Sequence, residues 1–381
     1  MSPSSYQICT KCIIDTTVAG AWFDSQGVCN HCKTHQKLET TYPFNSLRLQ
    51  KLIRKMKDRG RTKAYDCVVG ISGGKDSIYA LYVTKKLGLR PLAVHFNDGF
   101  GNPVAGENMQ KATSKLQVEM ITVSSDWRES KDLRIAFLKA STPDMEIATD
   151  IGIETALLGV AHQKNIKYII SGYSFRTEGV FPLSWNYLDG KYLKTVHRQF
   201  GTRKLRPWKP DDPGFNLDLS HVFYYTILKR IRIIPLLCYV NYVLKDAETI
   251  LKQELDWVYP GAKYYDDLYQ SLMTHIYRTK FKIDRRKVIY SAQIRSGQLT
   301  KSDAVEKLQE EETIEDPKVI QLCIKRLGIS QEELTTYVSQ PPKTFQDYDT
   351  NYRYLRAARL PIWIMSKLKV LPAMVYDKYF N

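Results

Sequence analysis

The sequence predicts an α/β protein: a parallel sheet covered by helices, preceded by a small cysteine-bearing module and followed by a mainly helical region. Three observations predict it. Between residues 46 and 200, short β-branched runs alternate with apolar-periodic segments of helix length. Ahead of them, residues 1–45 gather four cysteines in turn-rich sequence, and residues 201–381 turn helical and aromatic. These three blocks are the expected domains.

The elements follow in order. Asp66–Ile71 is a short β-branched run and leads into a helix over Asp76–Leu87. Arg90–Phe96 is the second strand, with a helix expected over Gly106–Leu116, and Val118–Val123 is the third. A helix over Thr149–Lys164 leads into a strand at Ile166–Gly172. Such sheets bind ligands beyond the carboxyl ends of their strands. Pro207, Pro210 and Pro213 mark an expected linker. Val305–Glu312 reads as a helix with Ser302 or Asp303 as its N-cap.

Composition narrows the class. Of 381 residues, 43% are hydrophobic and 25% charged, which excludes disordered, collagen-like and coiled-coil chains. The net charge of +16 points to an anionic partner: nucleic acid, nucleotide, sugar nucleotide or a membrane face. The N-terminus lacks a basic stretch followed by an apolar run, so no secretory signal is expected. Val222–Leu244, the most apolar stretch, is broken by Lys229, Arg230, Arg232 and Pro235 and is not expected to span a membrane.

Seven cysteines divide into a cluster and three singletons. Cys9-x2-Cys12-x16-Cys29-x2-Cys32 has the spacing of a closed, four-thiolate structural zinc site, though spacing alone leaves an iron–sulfur cluster open. His31 and His35 lie nearby and are expected to be exposed. Cys67, Cys238 and Cys323 are expected to be buried and inert. This is metal-site usage in a reducing compartment, so a cytoplasmic location is expected.

Ser72-Gly-Gly-Lys-Asp-Ser77 stands directly after the first strand and before a helix. Adjacent glycines open backbone angles closed to other residues and remove side chains that would hold a phosphate away. The loop N–H groups and the helix N-terminus then face an anion together. Ser72 and Ser77 add hydroxyl donors, and Lys75 adds a point charge. Asp76 would repel phosphate directly, so its natural role is to hold magnesium. The spacing is too tight for a Walker loop.

This hexapeptide resembles the PP-loop signature Ser-Gly-Gly-x-Asp-Ser of the ATP-pyrophosphatases, which have an adenine nucleotide α-hydrolase-like fold. The resemblance implies cleavage of ATP to AMP and pyrophosphate, with Lys75 and Asp76 catalytic and Ser72, Gly73, Gly74, Lys75, Asp76 and Ser77 gripping the pyrophosphate. It also implies that His95, Phe96 and Asn97 at one strand end, and Ser171 and Gly172 at another, flank the nucleotide.

Within that superfamily the chain resembles the N-acetyl sugar amidotransferases of bacterial surface-polysaccharide and lipopolysaccharide O-antigen biosynthesis. The residues that carry this are His95-Phe-Asn-Asp-Gly-Phe100, Asn108, the segment Phe137–Asp150, Gly172-Tyr-Ser-Phe-Arg-Thr-Glu-Gly179, Trp185-Asn-Tyr, Tyr192–His197, Lys280–Lys287 and Ser296–Lys301. Ala148 stands where the family has proline, and loop 173–175 departs from its pattern. The family converts an acetamido group of a nucleotide-linked sugar to an acetamidino group by adenylation and attack of ammonia. By resemblance, Asp144, Glu146, Asp150, Arg176, Glu178 and Trp185 are candidates for the sugar pocket, Arg176 as the partner of a substrate carboxylate or phosphate. Each has a structural alternative, such as Asp150 as a helix cap and Trp185 as packing.

The sequence has neither an N-terminal cysteine nor a Gly-x-Cys-x-Gly elbow, so ammonia is expected from a separate glutaminase subunit with a cyclase-like subunit. The alternative reading is a zinc-containing PP-loop tRNA thiolase. The high positive charge favours tRNA, but the lone cysteines do not suit a sulfur carrier. The tail from Tyr352 to Tyr379 alternates basic residues with aromatics and aliphatics. It reads as a packed helix pair with snorkelling lysines and arginines, with peripheral membrane contact as the alternative.

Overall fold

A computed structural model describes residues 6–44, 46–209, 214–310, 314–368 and 370–380. Pro210 and Pro213, and with them most of the expected linker, lie outside the described residues, as do Glu311 and Glu312.

The cysteine module runs into helix α1 (Asn30–Thr41), and basic helix α2 (Ser46–Gly60) follows. The sheet then alternates with helices: β1 (Cys67–Gly70), α3 (Lys75–Lys86), β2 (Pro91–Asn97), α4 (Pro103–Leu116), β3 (Met120–Ser124), α5 (Trp127–Ala140), α6 (Ile147–Gln163) and β4 (Tyr168–Ser171). Helix α7 (Gly190–Phe200) and the short α8 (Leu219–Phe223) lead to β5 (Arg232–Pro235), a fifth strand drawn from the largely helical C-terminal region. Helices α9 (Leu244–Leu255), α10 (Tyr269–Ile276), α11 (Arg286–Arg295), α12 (Lys301–Gln309), α13 (Pro317–Leu327), α14 (Gln331–Ser339), α15 (Tyr352–Ala357), α16 (Arg359–Lys367) and α17 (Ala373–Phe380) complete the chain.

All strand pairings are parallel, in the order β3-β2-β1-β4-β5. The order reverses between β1 and β4, and at such a switch point the connections leave in opposite directions and open a crevice. Alternation along β1 separates the two cores. Cys67 and Val69 pack with Met56, Ile78, Leu81, Met109 and Leu251, whereas Val68 faces Phe137, Ile151, Leu158 and Val196.

Helix starts follow local chemistry. Helix α4 begins earlier than expected because Asn102 Oδ1 accepts the Val104 N–H and Pro103 takes the first position. Helix α5 was not anticipated; its start is fixed by Asp126, whose side chain accepts the Arg128 N–H. Helix α12 is capped by Thr300, not Ser302 or Asp303: the Thr300 hydroxyl accepts the Asp303 N–H. Among the described residues, no helix is long and apolar enough to cross a membrane.

The cysteine module packs on the C-terminal helices. Lys301 donates to the Cys9 carbonyl at 2.9 Å, Lys287 pairs with Asp15 at 2.6 Å, and the Ile13 N–H reaches the Ser291 hydroxyl at 3.3 Å. At the other end, α17 packs back on α1, where Lys37 pairs with Asp377. Helix α16 packs against α17, as the expected helix pair, but one apolar face of it, Leu360, Trp363, Ile364 and Leu368, remains exposed.

Candidate active site

The loop Ser72–Ser77 sits at the switch point, between the end of β1 and the start of α3. Gly73 has φ +85, and a Cβ there would lie 2.1 Å from the Ala105 carbonyl oxygen. Only glycine fits. A Cβ on Gly172 at the end of β4 would lie 2.9 Å from the Asp76 carbonyl oxygen, so that strand end presses directly on the loop. The loop braces itself: the Ser72 N–H donates to Ser77 Oγ at 3.0 Å, and the two hydroxyls lie 3.1 Å apart. Asn108 and Trp257 both donate to the Gly73 carbonyl, at 3.2 and 2.9 Å, which turns that oxygen away from the cradle.

The charged loop residues are held by the C-terminal half of the chain. Asp76 accepts from the Tyr242 hydroxyl and from Lys263 Nζ at 3.0 Å. Burial works against its charge, but Lys263, Tyr242 and Lys75 outweigh it and keep Asp76 below the usual carboxylate range. Lys75 Nζ reaches Glu248 on α9 at 2.5 Å. Asp266 lies against the loop on the other side, its carboxylate 3.1 Å from where a Cβ on Gly74 would sit. Burial raises its pKa and a Ser72 hydrogen bond opposes the rise.

Two adjoining cavities meet at this loop. One, about 270 Å³, is lined by the ends of β1, β2 and β4 and by α6; His95, Phe96, Ser171 and Gly172 are in its wall. His95 Nδ1 lies 3.2 Å from the Ile71 carbonyl, and burial lowers its pKa, so the ring is neutral with Nδ1 as donor. The other, about 590 Å³, runs from Lys75, Asp76 and Ser77 to Tyr264, Arg285 and Tyr290. Ser72, Ser77, Gly172, Tyr264 and Asp266 line both.

Arg285 is placed at the seam. Its Nη2 donates to Gln270 Oε1 at 2.9 Å and Thr274 Oγ1 at 3.0 Å, and its Cζ lies 5.2 Å from the ring centroids of both Tyr264 and Tyr277. Gln270 in turn donates to Glu146, in the wall of the smaller cavity. Glu146 is pushed up to about 8 by burial and by the neighbouring Asp150. Glu178, in the larger cavity, is pushed up to about 7 by burial and accepts from the Tyr264 hydroxyl at 3.1 Å.

The remaining candidates fall elsewhere. Asn97 stands apart from the cavity; its Oδ1 accepts the Gly99 N–H at 3.0 Å and shapes a turn. Arg176 is buried and consumed internally, against the expectation of a substrate contact. It makes a two-pronged pair with Glu39 and donates to the carbonyls of Cys238 and Tyr42, each at 2.8 Å. Asp144 is buried, accepting the Tyr187 N–H at 2.6 Å and the Tyr192 hydroxyl at 3.1 Å. Trp185 is core, packed on Phe181. Asp150 is not the cap of α6 but lies in its first turn, accepting from Asn186 at 2.9 Å. Sequence reasoning missed Tyr242, Glu248, Lys263, Asp266 and Arg285. The signal present for two of them was a Pro260-Gly261 turn followed by the dense polar run Lys263-Tyr-Tyr-Asp-Asp267.

The four clustered cysteines are buried and their sulfurs lie within 4.8 Å of one another. Sγ separations are 3.8 Å for Cys9–Cys32, 3.7 Å for Cys12–Cys29 and 3.6 Å for Cys12–Cys32. The N–H groups of Lys11 and Cys29 point at Cys9 Sγ, at 3.4 and 3.3 Å, and Arg295 points at Cys12 Sγ at 3.5 Å. Donors aimed at sulfur stabilise thiolates, so this group is built to hold a metal centre, zinc or iron–sulfur. His35 is buried, not exposed as expected; its ring stands edge-on to Phe175 at 5.1 Å, and burial lowers its pKa to about 3. His31 is partly buried.

Residues 262–360 match the family described as LPS biosynthesis protein WbpG-like, C-terminal domain. Residues 262–360, within the C-terminal region, thus resemble a WbpG-like domain. Over 206 residues the chain is 26% identical to the uncharacterized protein MJ1599 of Methanocaldococcus jannaschii, covering 50% of this chain and 70% of that protein. Among solved structures, the NMN synthetase of Francisella tularensis is 16% identical, covers 75% of this chain and 93% of its own, and has a TM-score of 0.31. The U34-tRNA thiolase NcsA of Methanococcus maripaludis, solved with its 4Fe-4S cluster, is 14% identical over 80% of this chain and 89% of its own, with a TM-score of 0.32. Likeness at that level adds nothing to the sheet topology described above. The WbpG-like domain begins at Ala262, one residue before Lys263. It therefore supplies Lys263 to Asp76, and Tyr264, Asp266 and Arg285 to the cavity walls.

Proposed function

We propose that this chain is an ATP-dependent amidotransferase that converts an acetamido group of a nucleotide-linked sugar to an acetamidino group. One observation carries the reading: the phosphate cradle and the WbpG-like domain face each other across a single cavity of about 590 Å³. A loop that holds a diphosphate thus shares its space with a pocket large enough for an acceptor. The adjoining smaller cavity at the strand ends takes the adenosine.

An amide carbonyl is a poor electrophile because its nitrogen feeds it electron density. In the proposed reaction the amide oxygen attacks the α-phosphorus of ATP, and the bond to the β-phosphate oxygen breaks. Pyrophosphate departs into the cradle of Ser72–Ser77, where main-chain N–H groups, Ser72, Ser77 and Lys75 meet its charge. Lys75 exchanges Glu248 for phosphate at that point. Ammonia then adds to the activated carbon, AMP leaves with the former amide oxygen, and a proton is lost to give the amidine. Glu178 and Glu146, both titrating near neutrality, are the wall groups suited to take it.

Asp76 and Asp266 are the hard oxygen donors against the loop that would hold magnesium, which would neutralise charge on the phosphates. For the cysteine centre zinc is favoured, because sulfurs bound at about 2.3 Å around one tetrahedral ion stand roughly 3.8 Å apart. The separations of 3.6–3.8 Å match that figure. A separate glutaminase subunit, with a cyclase-like partner, would supply the ammonia. Against the thiolase reading, Cys67 is buried at the far end of β1 from the loop, and burial pushes the Cys238 and Cys323 thiols up to about 12.

The test is incubation of the chain with ATP, magnesium, isotopically labelled ammonium and a panel of acetamido nucleotide sugars. The expected result is AMP together with a sugar in which labelled nitrogen replaces the amide oxygen. AMP formed only with tRNA and a sulfur donor would replace this reading with the thiolase.

A further inference from the structure

The apolar face of α16 is turned to solvent. Leu360, Trp363, Ile364 and Leu368 follow the i, i+3, i+4, i+8 spacing of one helix face and are 65%, 43%, 44% and 65% exposed. In a soluble helix such a stripe is normally buried. Around it cations are in excess: from Asp349 to Asp377 the chain holds Arg353, Arg356, Arg359, Lys367 and Lys369 against the two aspartates at its ends.

A second segment converges on the same place. A cavity of about 300 Å³ is lined by Trp363 and Lys367 on one side and by Lys37, Tyr42 and Arg48 on the other, with the carboxylate of Asp377 in its wall, paired to Lys37. The chain between Tyr42 and Arg48 carries Phe44 and Leu47, 53% and 63% exposed. Helix α2 continues with Lys51, Arg54 and Lys55 in solvent. Two segments far apart in sequence thus present exposed apolar side chains beside residues that line one cavity, where Lys37, Arg48 and Lys367 outnumber Asp377.

We propose that this surface docks on an anionic phospholipid bilayer, with the apolar residues entering the interface and Arg48, Lys367 and the surrounding cations meeting lipid phosphates. Charge complementarity selects this occupant. A protein partner needs no such excess of cations, whereas an anionic leaflet attracts each lysine and arginine near it and accepts Trp, Leu and Phe at headgroup depth. Lys367, whose Nζ lies 5.6 Å from the Trp363 ring centroid, sits as a snorkelling cation does above an inserted aromatic. The docking does not depend on which acceptor the active site takes.

The test is sedimentation of the full chain with vesicles of phosphatidylcholine, alone or with phosphatidylglycerol added. Binding is expected with the anionic vesicles only, and to weaken as salt rises. Brominated acyl chains should quench tryptophan fluorescence, and W363F should remove most of that quenching. L360S/W363S, at exposed positions, should bind at least about tenfold more weakly with an unchanged urea midpoint. R48E/K367E should lose the preference for anionic vesicles. Absence of binding to anionic vesicles would overturn the proposal, as would binding that L360S/W363S leaves intact. So would a dimer that L360S/W363S dissociates without any vesicle binding, which would assign the face to a second copy of the chain.

Discussion

Lys263 ties the WbpG-like domain to the Ser72–Ser77 loop, and removing its charge should be felt in both stability and chemistry. In Lys263→Met the stem keeps its packing, while Asp76 loses a cation at 3.0 Å and keeps Tyr242 and the more distant Lys75. The two side chains are 30% and 21% exposed, so the pair lies between two limits. Exposed pairs contribute about 0–1 kcal/mol, and breaking a fully buried one costs about 3–5 kcal/mol. The expected loss is therefore about 2 kcal/mol at neutral pH, read from urea unfolding. The partner is identified by a double-mutant cycle: in an Asp76→Asn background the same substitution should cost close to nothing. Acid supplies an independent check. Asp76 is depressed in the folded state, so its contribution is complete above the unfolded value near ~4 and is lost as pH falls through the lower folded value. The gap between wild type and Lys263→Met should close below about pH 4. A cost under about 0.5 kcal/mol, or an equal cost with and without Asp76, would refute the reasoning.

Other outcomes follow from the same geometry. Gly73→Ala must hold alanine at φ +85 and move the Ala105 carbonyl by about an ångström, so it should cost about 2–4 kcal/mol and abolish nucleotide binding in a titration. Cys12→Ser should lose one zinc per chain by metal analysis and loosen the contacts at Ser291 and Lys301; stoichiometric iron with visible absorbance in the wild type would replace zinc by a cluster. Glu146 is raised to about 8, so the folded state binds its proton more tightly and stability falls as pH rises from ~4.3 to about 8. Glu146→Gln should flatten that decline, and an unchanged slope would remove Glu146 as its source.

What could be read from sequence was what is contiguous in it. Six consecutive residues make the Ser72–Ser77 loop, and their strand–loop–helix setting fixes their conformation locally. Two Cys-x2-Cys pairs bring sulfurs together through short-range turns, so that site was legible too. Residues that reach the loop from far along the chain were not: Tyr242, Glu248 and Lys263 meet Asp76 and Lys75 across separations of 166, 173 and 187 residues. Arg176 was misread because its partners, Glu39 and two main-chain carbonyls, are set by packing of α1 against the loop after β4. Asn97 falls between two lining residues, Phe96 and Asp98, but its side chain closes the turn at Gly99, and sequence alone does not tell a strand end that serves a cavity from one that serves a turn. Strand β5 escaped notice because its four residues Arg232–Pro235 are too short to show alternation and end in proline.

The central claim is that the cradle at Ser72–Ser77 retains a diphosphate while the rest of the nucleotide passes to an acceptor bound against the WbpG-like domain. Phosphorus NMR of a reaction containing ATP, magnesium, ammonium and an acetamido nucleotide sugar tests it most directly. The account predicts AMP and pyrophosphate in equal amounts, and neither from Lys75→Ala. ADP with inorganic phosphate, or unimpaired turnover in Lys75→Ala, would contradict it.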